Sequence, residues 1–443
     1  MTRRTALKSA PEPAVTSLLT RHEVLARHLP GLNSRWLAEC RTAALARFQE
    51  AGLPGRQVEE WRYTPLGALA GIAFQPARLS PAAEVHALPT AILPLDGCRL
   101  MMVNGGLDAA LCDLGRLPKG LQVHSLAHVL NTHPERLEPW LATSAAGPMA
   151  DLNSASFHDG VLIHLAAGTV AETPLHLVSV GVAVDHPVDF HPRVVVVLED
   201  EARATLVESH CGVVDQPYFS NGVVEIYLGR NAHLTHVKLQ DEAPEGWHVA
   251  SHAVDLAEGA AYHATVLHTG GRLARHQVRV RLRGPHAEAR LDGAYLVDGI
   301  AQVDDTIVID HEAPHCRSRQ LWKGVLDGKG RGVFQGKVRV ARAAQKTDAY
   351  QLSRALLLSP QAEADGKPEL EIYADDVKCG HGSAVGALDD AALFYLTSRG
   401  IGRAEARRIL MEAFVAEVID GVEEPAVREA LAGLVRRRLG GMG

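Results

Sequence analysis

Several features that mark common protein classes are missing from this sequence of 443 residues. Its six cysteines lie at least 14 residues apart, so no CxxC pair of the zinc-binding or redox type exists. No apolar run reaches the roughly 18 residues that a membrane-spanning helix needs. The GxxxxGK[ST] phosphate loop, a GxGxxG between strand and helix, and the GxSxG serine elbow are also absent, which argues against the chemistry that each supports.

Composition and charge indicate a folded protein without a general attraction to nucleic acid. The sequence is 47% hydrophobic and 22% charged, with a formal net charge of −7. Its length exceeds the roughly 250–300 residues of one core, so we expect several units or an elongated repeat. The basic N-terminus lacks an apolar h-region, so we expect no secretory signal, although a short organellar presequence stays open. Together with reduced thiols, this predicts a cytoplasmic protein.

Three regions differ in texture, and we divide the chain into residues 1–92, 93–387 and 388–443. The first is helical and the second is rich in valine, threonine and period-2 alternation. A helix in the first region is predicted from a stripe of Trp36, Leu37, Cys40, Ala44 and Phe48, with Asn33 or Ser34 as N-cap. The stretch FQPARLSPAAEV then reads as a connector.

The middle region contains a repeat of 26 to 33 residues, in which an apolar residue is followed four positions later by a small one. The pairs are Leu165/Thr169, Leu198/Ala202, Leu228/Ala232, Leu256/Ala260, Ile309/Ala313 and Val340/Ala344, with a degenerate copy at Leu282. A fixed period with β texture and no helix between strands favours stacked β coils over a β-sandwich. We therefore predict a β-helix core.

The last region returns to a helical pattern. One helix begins at Asp389 or Asp390 and ends at Gly400, and two more follow in GRAEARRILMEAFVAEVIDG and EPAVREALAGLVRRRLGG. The second has a stripe of Ala406, Leu410, Phe414 and Val418. This stripe either packs mostly on neighbouring parts of the chain or docks a partner protein.

The segment ADDVKCGHGSAVG holds a thiol and an imidazole two residues apart. In a strand, Cys379 and His381 share one face, and thiolate with imidazole can ligate a transition metal or an iron–sulfur cluster. No further Cys or His lies nearby in the sequence, so a metal site would need ligands from another chain. Spacing alone favours the alternative of a buried thiol beside a hydrogen-bonded histidine.

Two other groups carry side chains of metal or acid–base chemistry. HEAPHC offers His311, His315 and Cys316, which we interpret as a corner between β coils, with metal binding as the alternative. Asp304, Asp305 and Asp310 invite comparison with the carboxylate pairs of sugar-cleaving β-helix enzymes, but acidic turns at a solvated edge fit better. The absence of a secretory signal and an aromatic content of 5% also argue against such an enzyme. The 23 histidines are scattered without ligand spacing, as expected of surface or hydrogen-bonded interior residues.

Two stretches near the C-terminus resemble a known family. They are LWKGVLDGKGRGVFQGKVRVARAAQKTDAYQLSRALLLS and AEADGKPELEIYADDVKCGHGSAVGALDDAALFYLTSRGI, and both resemble the SufB/SufD family of iron–sulfur cluster assembly. GLPGRQVEEWRYTPL is similar to the Trp-containing signature of that family. The resemblance covers most of the chain and is most specific over residues 300–402. DDVKCGHG is similar to the SufD branch, with the longer SufB branch, which carries a glutamate-containing version, as the alternative.

The resemblance implies a mainly β protein with a right-handed parallel β-helix core, flanked by N-terminal and C-terminal helical regions. It implies a non-catalytic scaffold that pairs with SufB through the β-helices and docks the SufC ATPase on its C-terminal helices. A homodimer is the expectation for the chain alone, because the end of a β-helix exposes unpaired strands.

The resemblance also implies a role for Cys379 and His381, here called the half-site. The histidine that matches His381 lies at the SufB–SufD interface, where it is a proposed ligand or assembly residue for a nascent cluster. Cys379 matches a neighbouring family cysteine of less defined role. Both are therefore candidate ligands of a transient iron–sulfur cluster, and the isolated chain is expected to hold no tightly bound cofactor. A reduced flavin in the complex is a further expectation from the family.

Overall fold

The computed structural model describes residues 13–77, 92–115, 117–141, 146–183, 185–214 and 216–442. Part of the predicted connector FQPARLSPAAEV, from residue 78 onward, therefore lies outside the described residues. No helix in the described ranges is both long and apolar enough to cross a membrane. The division at residues 92/93 and 387/388 stays a prediction from the sequence.

Helices lie in two groups along the chain. They are α1 (Pro13–Leu25), α2 (Arg35–Ala51), α3 (Leu126–Thr132), α4 (Glu138–Leu141), α5 (Pro148–Ser156), α6 (Asp390–Ser398), α7 (Arg403–Ile419) and α8 (Pro425–Leu439). The predicted helix starts are confirmed at α2, which Ser34 precedes, and at α6, where the Asp389 side chain accepts from the Ala391 and Ala392 amides. In α2 the buried residues are Leu37, Arg41, Ala44 and Phe48, so Arg41 rather than Cys40 is enclosed.

The strands form a parallel solenoid. They are β1 (Gln75–Pro76), β2 (Cys98–Val103), β3 (Gly106–Leu107), β4 (Leu121–Ser125), β5 (Gly160–Leu165), β6 (Leu175–Ala183), β7 (Val188–Phe190), β8 (Arg193–Leu198), β9 (Arg203–Val214), β10 (Tyr218–Leu228), β11 (His233–Gln240), β12 (Gly246–Leu256), β13 (Ala261–His268), β14 (Leu273–Leu282), β15 (Glu288–Val297), β16 (Gln302–His311), β17 (Arg317–Leu326), β18 (Arg331–Val340), β19 (Asp348–Leu357), β20 (Glu363–Ile372) and β21 (Lys378–Gly386). One sheet runs β20-β18-β16-β14-β12-β10-β8-β5-β4, and the other runs β21-β19-β17-β15-β13-β11-β9-β6-β2-β3. The predicted β-helix core with flanking helices is confirmed.

Each coil gives one strand to each sheet, and the described residues contain eight such coils, from β5/β6 to β20/β21. Apolar residues at equivalent positions stack inside the coils, as Leu198, Leu228 and Leu256 do at adjacent register positions. These residues are at most 3% exposed. Stacking of identical positions at the strand spacing of about 4.8 Å is why the sequence repeats with the coil.

In the first sheet, the corner after each of β5, β8, β10, β12, β14, β16 and β18 contains one residue with positive φ. These residues are Gly168, Glu201, Asn231, Gly259, His286, His315 and Lys346. A residue in this left-handed region reverses the direction of the chain sharply, so the small residue that follows can turn into the core. The small member of each sequence repeat is therefore the residue after the corner, as Ala202, Ala232 and Ala260 are.

The register corrects two of the predicted repeat pairs. Ile309/Ala313 and Val340/Ala344 do not occupy equivalent places, because the later corners are one to three residues longer. The pairs read from the register and the corners are Leu282/Ala287, His311/Cys316 and Val340/Thr347. A spacing of four, taken from the first coils, therefore fails where the corner length changes.

The Trp-containing stretch near the N-terminus is clamped onto the outer face of the first sheet. The Arg275 guanidinium of β14 lies over the ring of buried Trp61, 3.9 Å from its centroid. It also donates to the Glu60 carbonyl at 2.7 Å and forms a buried ion pair with Asp304. Thr64 donates its hydroxyl to the same carboxylate. This polar clamp joins the N-terminal region to the middle of the solenoid.

The last two helices cover the outer face of the second sheet. Met411, Val415 and Val418 of α7 share one buried cluster with Val237 and Leu267 of β11 and β13. Val427, Leu431 and Leu434 of α8 belong to the same cluster. Most of the apolar surface of these two helices is therefore buried against the chain's own solenoid.

Candidate functional site

Cys379 and His381 lie on β21, the terminal strand of the second sheet. β21 pairs with β19 along one edge, and no other described strand pairs with its second edge. The Lys378 amide donates to the carbonyl of Thr347, the residue before β19, at 2.8 Å. In a parallel strand, backbone groups alternate between the two edges, so the N–H and C=O of Cys379 and His381 point to the open edge.

The side chains of these two residues continue a column that faces the inside of the solenoid. Cys379 is level with Ala349 and His381 with Gln351, and both partners on β19 are buried. Because no further coil covers β21, Cys379 is half-buried and His381 is exposed. The end of the lumen therefore presents an imidazole and a thiol on one face to whatever lies beyond the last coil.

The two candidate ligands differ in their electrostatic state. Burial raises the pKa of the Cys379 thiol, and the nearby Asp348 carboxylate adds to this, against the Ala349 backbone hydrogen bond. The thiol is thus protonated near neutral pH and must lose its proton to bind metal. His381 makes no side-chain hydrogen bond within the described part of the chain. An exposed imidazole without such a bond does not match the alternative of a hydrogen-bonded interior histidine.

Gly380 and Gly382 leave room for a side chain of the neighbouring strand. A Cβ on Gly380 would lie 3.4 Å from the Tyr350 ring, and one on Gly382 would lie 3.2 Å from Leu352. The outer face of β21 is therefore in contact with Tyr350 and Leu352 of β19. The opposite, lumen-facing side remains open at His381.

The two terminal strands differ in how their free edges are protected. β20 carries Pro368 and the charged residues Lys367, Glu369 and Glu371, features that discourage pairing with another strand. β21 reads KCGHGSAVG, with one charge at its start and no proline. Val385 on β21 is exposed, as is Tyr373 just after β20. The edge that carries His381 thus has fewer of the features that discourage pairing with another strand.

A second exposed apolar surface lies on α6. Phe394 and Tyr395 are 73% and 55% exposed, while Leu393 is the only buried residue of this helix. Packing on the chain itself and an exposed surface open to a partner are thus found on different C-terminal helices. α7 and α8 pack on the solenoid, and α6 leaves two aromatic rings uncovered.

The structure places the remaining sequence candidates in structural roles. His311 ends β16 and its Nε2 lies 2.9 Å from the Ser318 hydroxyl, whereas His315 and Cys316 form the following corner. These three side chains do not converge on a common point among the described residues. The interpretation as a corner between coils is confirmed.

The interpretation of the aspartates as acidic turns on a solvated edge is wrong. Asp304 and Asp305 are consecutive residues of β16, both fully buried and on opposite faces of the sheet. Asp304 pairs with Arg275 outside the lumen, and Asp305 lies inside it, 3.0 Å from the Nε2 atom of His268. Asp310 pairs with Arg279 at 2.7 Å. Two carboxylates on opposite faces of one strand cannot flank a sugar in one cleft.

A cluster of buried polar side chains lies inside the middle coils and was not predicted from the sequence. We call it the lumen cluster. It consists of Glu208, His210, His236, Lys238, Glu242, His248, His252, His268, His276 and Asp305. Burial lowers the pKa of His248 to about 3 and that of His276 to about 4, so both imidazoles are neutral near pH 7. Neighbouring imidazoles outweigh burial at Asp305 and lower the pKa of its carboxyl. The expectation of hydrogen-bonded interior histidines holds for His210, His236 and His268. It fails at His252 Nε2 and His276 Nε2, which have no hydrogen-bond partner among the described residues.

The fold and this end of it define a parallel β-solenoid protein that is flanked by helices and offers ligand-type side chains at an unpaired strand. Comparison with known families then identifies the class. Residues 182–414 match the SUF system FeS cluster assembly, SufBD core domain, and residues 19–177 match the SufBD protein N-terminal region. The chain therefore belongs to the SufBD family of iron–sulfur cluster assembly proteins.

Individual relatives agree with this assignment and indicate the branch. The chain is 31% identical over 413 residues to the iron–sulfur cluster assembly protein SufD of Escherichia coli K12, covering 90% of this chain and 92% of that protein. It is 33% identical over 386 residues to the SufBD family protein slr0076 of Synechocystis, covering 84% of each. It is also 30% identical over 387 residues to protein ABCI7, chloroplastic, of Arabidopsis thaliana, covering 85% and 80%. The chain is thus SufD-like.

Proposed function

We propose that this chain is a scaffold subunit that pairs with SufB through its open solenoid end and presents His381 at the seam between the two proteins. A transient iron–sulfur cluster, which is the cargo of the complex, would take His381 as a ligand, with Cys379 as a second candidate. SufC, the ATPase of the system, would dock on the C-terminal helices. The chain itself then acts without catalysis.

The observation that carries this proposal is the exposure of His381 on a strand whose outer edge is unpaired and unprotected. A ligand at such an edge supplies part of a coordination sphere, and a partner strand brings the rest. Imidazole is neutral near pH 7 and a more labile ligand than thiolate, which suits cargo that must leave. A site divided between two chains also changes its geometry when the seam moves.

The connection between β21 and α6 offers a route for such movement. β21 ends at Gly386 and the N-cap of α6 is Asp389, so three residues link the seam strand to the C-terminal helices. ATP-driven dimerisation of SufC on these helices would displace α6 and, through this short link, the strand that carries His381. In this proposal, opening of the seam releases the cluster.

The test compares His381→Ala with a matched control on the same strand. Ser383→Ala changes an exposed side chain on the same face, two residues further along β21. Each variant is co-expressed with SufB and SufC, the complex is purified, and cluster formation is followed by anaerobic reconstitution and visible absorption. We expect His381→Ala to yield an intact complex with cluster formation reduced about tenfold or more, as for loss of a ligand-supporting group.

Ser383→Ala is expected to behave as the unchanged chain. Cluster formation at the normal rate in an intact His381→Ala complex would refute the role of His381. Loss of the complex itself in both variants would instead show that the strand contributes pairing and not ligation.

The remaining expectations belong to the same proposal. All six cysteines are free, as in a reducing compartment, and we infer a cytoplasmic location. The chloroplastic designation of the Arabidopsis relative makes an organelle the alternative. A reduced flavin in the complex would appear as flavin absorption in the anaerobic preparation, and its absence there would remove that expectation.

A further inference from the structure

Three residues of the lumen cluster converge from both sheets of the solenoid. His276 of β14 and Asp305 of β16 are register partners, so their side chains are neighbours on one wall of the lumen. His268 is the last residue of β13, which belongs to the opposite sheet, and reaches the same point from across. Two imidazoles and one carboxylate thus meet inside the solenoid, where they come from the fourth, fifth and sixth coils.

The distances among these groups match the requirements of a metal ion. His268 Nε2 and His276 Nδ1 lie 3.0 Å and 3.6 Å from Asp305 Oδ1, and one ligand atom from each of the three residues lies within 4.8 Å of the others. Ligands held about 2.1 Å from a tetrahedral ion are separated by roughly 3.4 Å. Small rotations of these side chains would therefore place all three around one ion.

Hydrogen bonding leaves this site unsatisfied. His276 Nε2, Asp305 Oδ2 and His268 Nδ1 have no hydrogen-bond partner in the described residues. His276 Nδ1 lies 3.6 Å from Asp305 Oδ1, which is longer than an ordinary hydrogen bond. All three side chains are at most 2% exposed. Leaving one buried polar group unpaired costs about 1–3 kcal/mol, so several at one point indicate a group that fills the site.

The formal charges of the lumen cluster also call for a cation. Glu208, Glu242 and Asp305 are carboxylates, and Lys238 is the one Lys or Arg in the cluster as defined above. Three carboxylates therefore face a single ammonium group among side chains that are buried from water. A divalent cation would neutralise this excess, which buried ions require.

Two other groups of potential ligands in the described chain fit a metal less well. In the group of His210, Glu242 and His248, the Lys238 ammonium lies 2.8 Å from His210 Nε2 and already occupies that nitrogen. The third group is His233, His263 and Glu423, which lies at the surface, and there Glu423 accepts from His263 at 2.9 Å. The surface group serves as a control.

We propose that His268, His276 and Asp305 bind one divalent first-row transition-metal ion, such as Fe²⁺ or Zn²⁺, inside the solenoid. Two imidazoles and one carboxylate are a donor set that suits these ions and leaves coordination positions open. The ion ties the two sheets together across the lumen and satisfies the orphaned nitrogens. This replaces the expectation that the isolated chain holds no tightly bound cofactor.

The site is separate from the half-site at the solenoid end. Two strand spacings, roughly 10 Å, separate β16 from β20 in the terminal coil. The buried rings of Trp322 and Phe334, with centroids 5.7 Å apart, lie between the lumen cluster and that end. The proposed ion therefore does not depend on pairing with SufB or on the role of His381.

The test measures metal in the full-length chain. The protein is expressed in medium supplemented with Co²⁺, passed through EDTA and gel filtration, and its transition metals are quantified by mass spectrometry. We expect about one ion per chain in the unchanged protein and in His263→Leu, which alters the surface group. His276→Leu and Asp305→Asn should each retain about one tenth of this amount of metal or less, because each variant loses a ligand.

Spectroscopy and thermal stability provide two further readouts. The Co²⁺ form of the unchanged chain should show visible d–d bands of a nitrogen and oxygen site, without the near-ultraviolet charge-transfer band of a thiolate. The unchanged chain should also melt at a higher temperature when it carries EDTA-resistant metal than when it is metal-free, whereas His276→Leu should show no such difference. The proposal is overturned if the unchanged chain keeps no metal, if a thiolate band appears, or if folded His276→Leu keeps as much metal as His263→Leu.

Discussion

The clamp between Arg275 and the N-terminal region leads to a quantitative prediction. Replacing Arg275 by Met keeps most of the side-chain volume but removes the charge that faces Asp304. Both side chains of this pair are fully buried, so the change strands a carboxylate in the interior. Breaking a buried ion pair from one side costs about 3–5 kcal/mol.

Local contacts refine this magnitude. Asp304 still accepts from Thr64 and from the Thr306 hydroxyl at 3.0 Å, which places the loss from the ion pair near the lower limit. Loss of the contact between the guanidinium and the Trp61 ring increases the destabilisation by as much as about 2 kcal/mol, because the site is shielded from water. We therefore expect the free energy of unfolding to fall by about 3–5 kcal/mol.

The assay is urea unfolding of the full chain, followed by tryptophan fluorescence and circular dichroism. Arg279→Met is the matched control, since Arg279 lies on the same strand and pairs with Asp310, but its side chain is 50% exposed. Because the Arg279 guanidinium is open to solvent and the buried Asp310 keeps Arg339 at 3.6 Å, we expect Arg279→Met to cost only about 0–1 kcal/mol. The double change of Arg275→Met with Asp304→Asn should recover much of the loss, because no unpaired charge remains. Equal losses in Arg275→Met and Arg279→Met would refute this reasoning.

Three further predictions concern the seam, the helices and pH. Val385→Pro removes an N–H from the open edge of β21 and should abolish self-association or SufB pairing, measured by light scattering. Val385→Ala is the control and should leave pairing intact. Unchanged pairing in Val385→Pro would show that this edge is not the interface. Phe394→Ala should weaken co-purification of SufC without a change in melting temperature, because the ring is exposed, and retained SufC would locate docking elsewhere. Burial lowers the pKa of His191 to about 3 and that of His311 to about 4. The stability that these neutral imidazoles contribute is fully present above pH 6.5 and is lost as the pH falls toward 4, at about 1.4 kcal/mol per unit for each; urea midpoints that do not shift between pH 7 and pH 5 would contradict this.

The sequence by itself determined the architecture of this protein. The coil repeats because each coil must place apolar side chains on top of those of its neighbours, so the pattern of Leu198, Leu228 and Leu256 is readable from one chain. The start of α6 after its N-cap Asp389 was also predictable, for a different reason: N-capping depends only on adjacent residues. The shared face of Cys379 and His381 follows from the period of a strand.

Only the tertiary structure decided what lies inside the coils. Asp304 and Asp305 are adjacent in sequence, yet one meets Arg275 outside the solenoid and the other meets His268 within it. The contacts of Asp305 come from residues 29 and 37 positions earlier, brought level by corners whose lengths vary. Spacing along the chain does not report such contacts, because each change in corner length alters the number of residues between register partners. The exposure of His381 was likewise settled by the place of β21 as the last strand, with no coil above it.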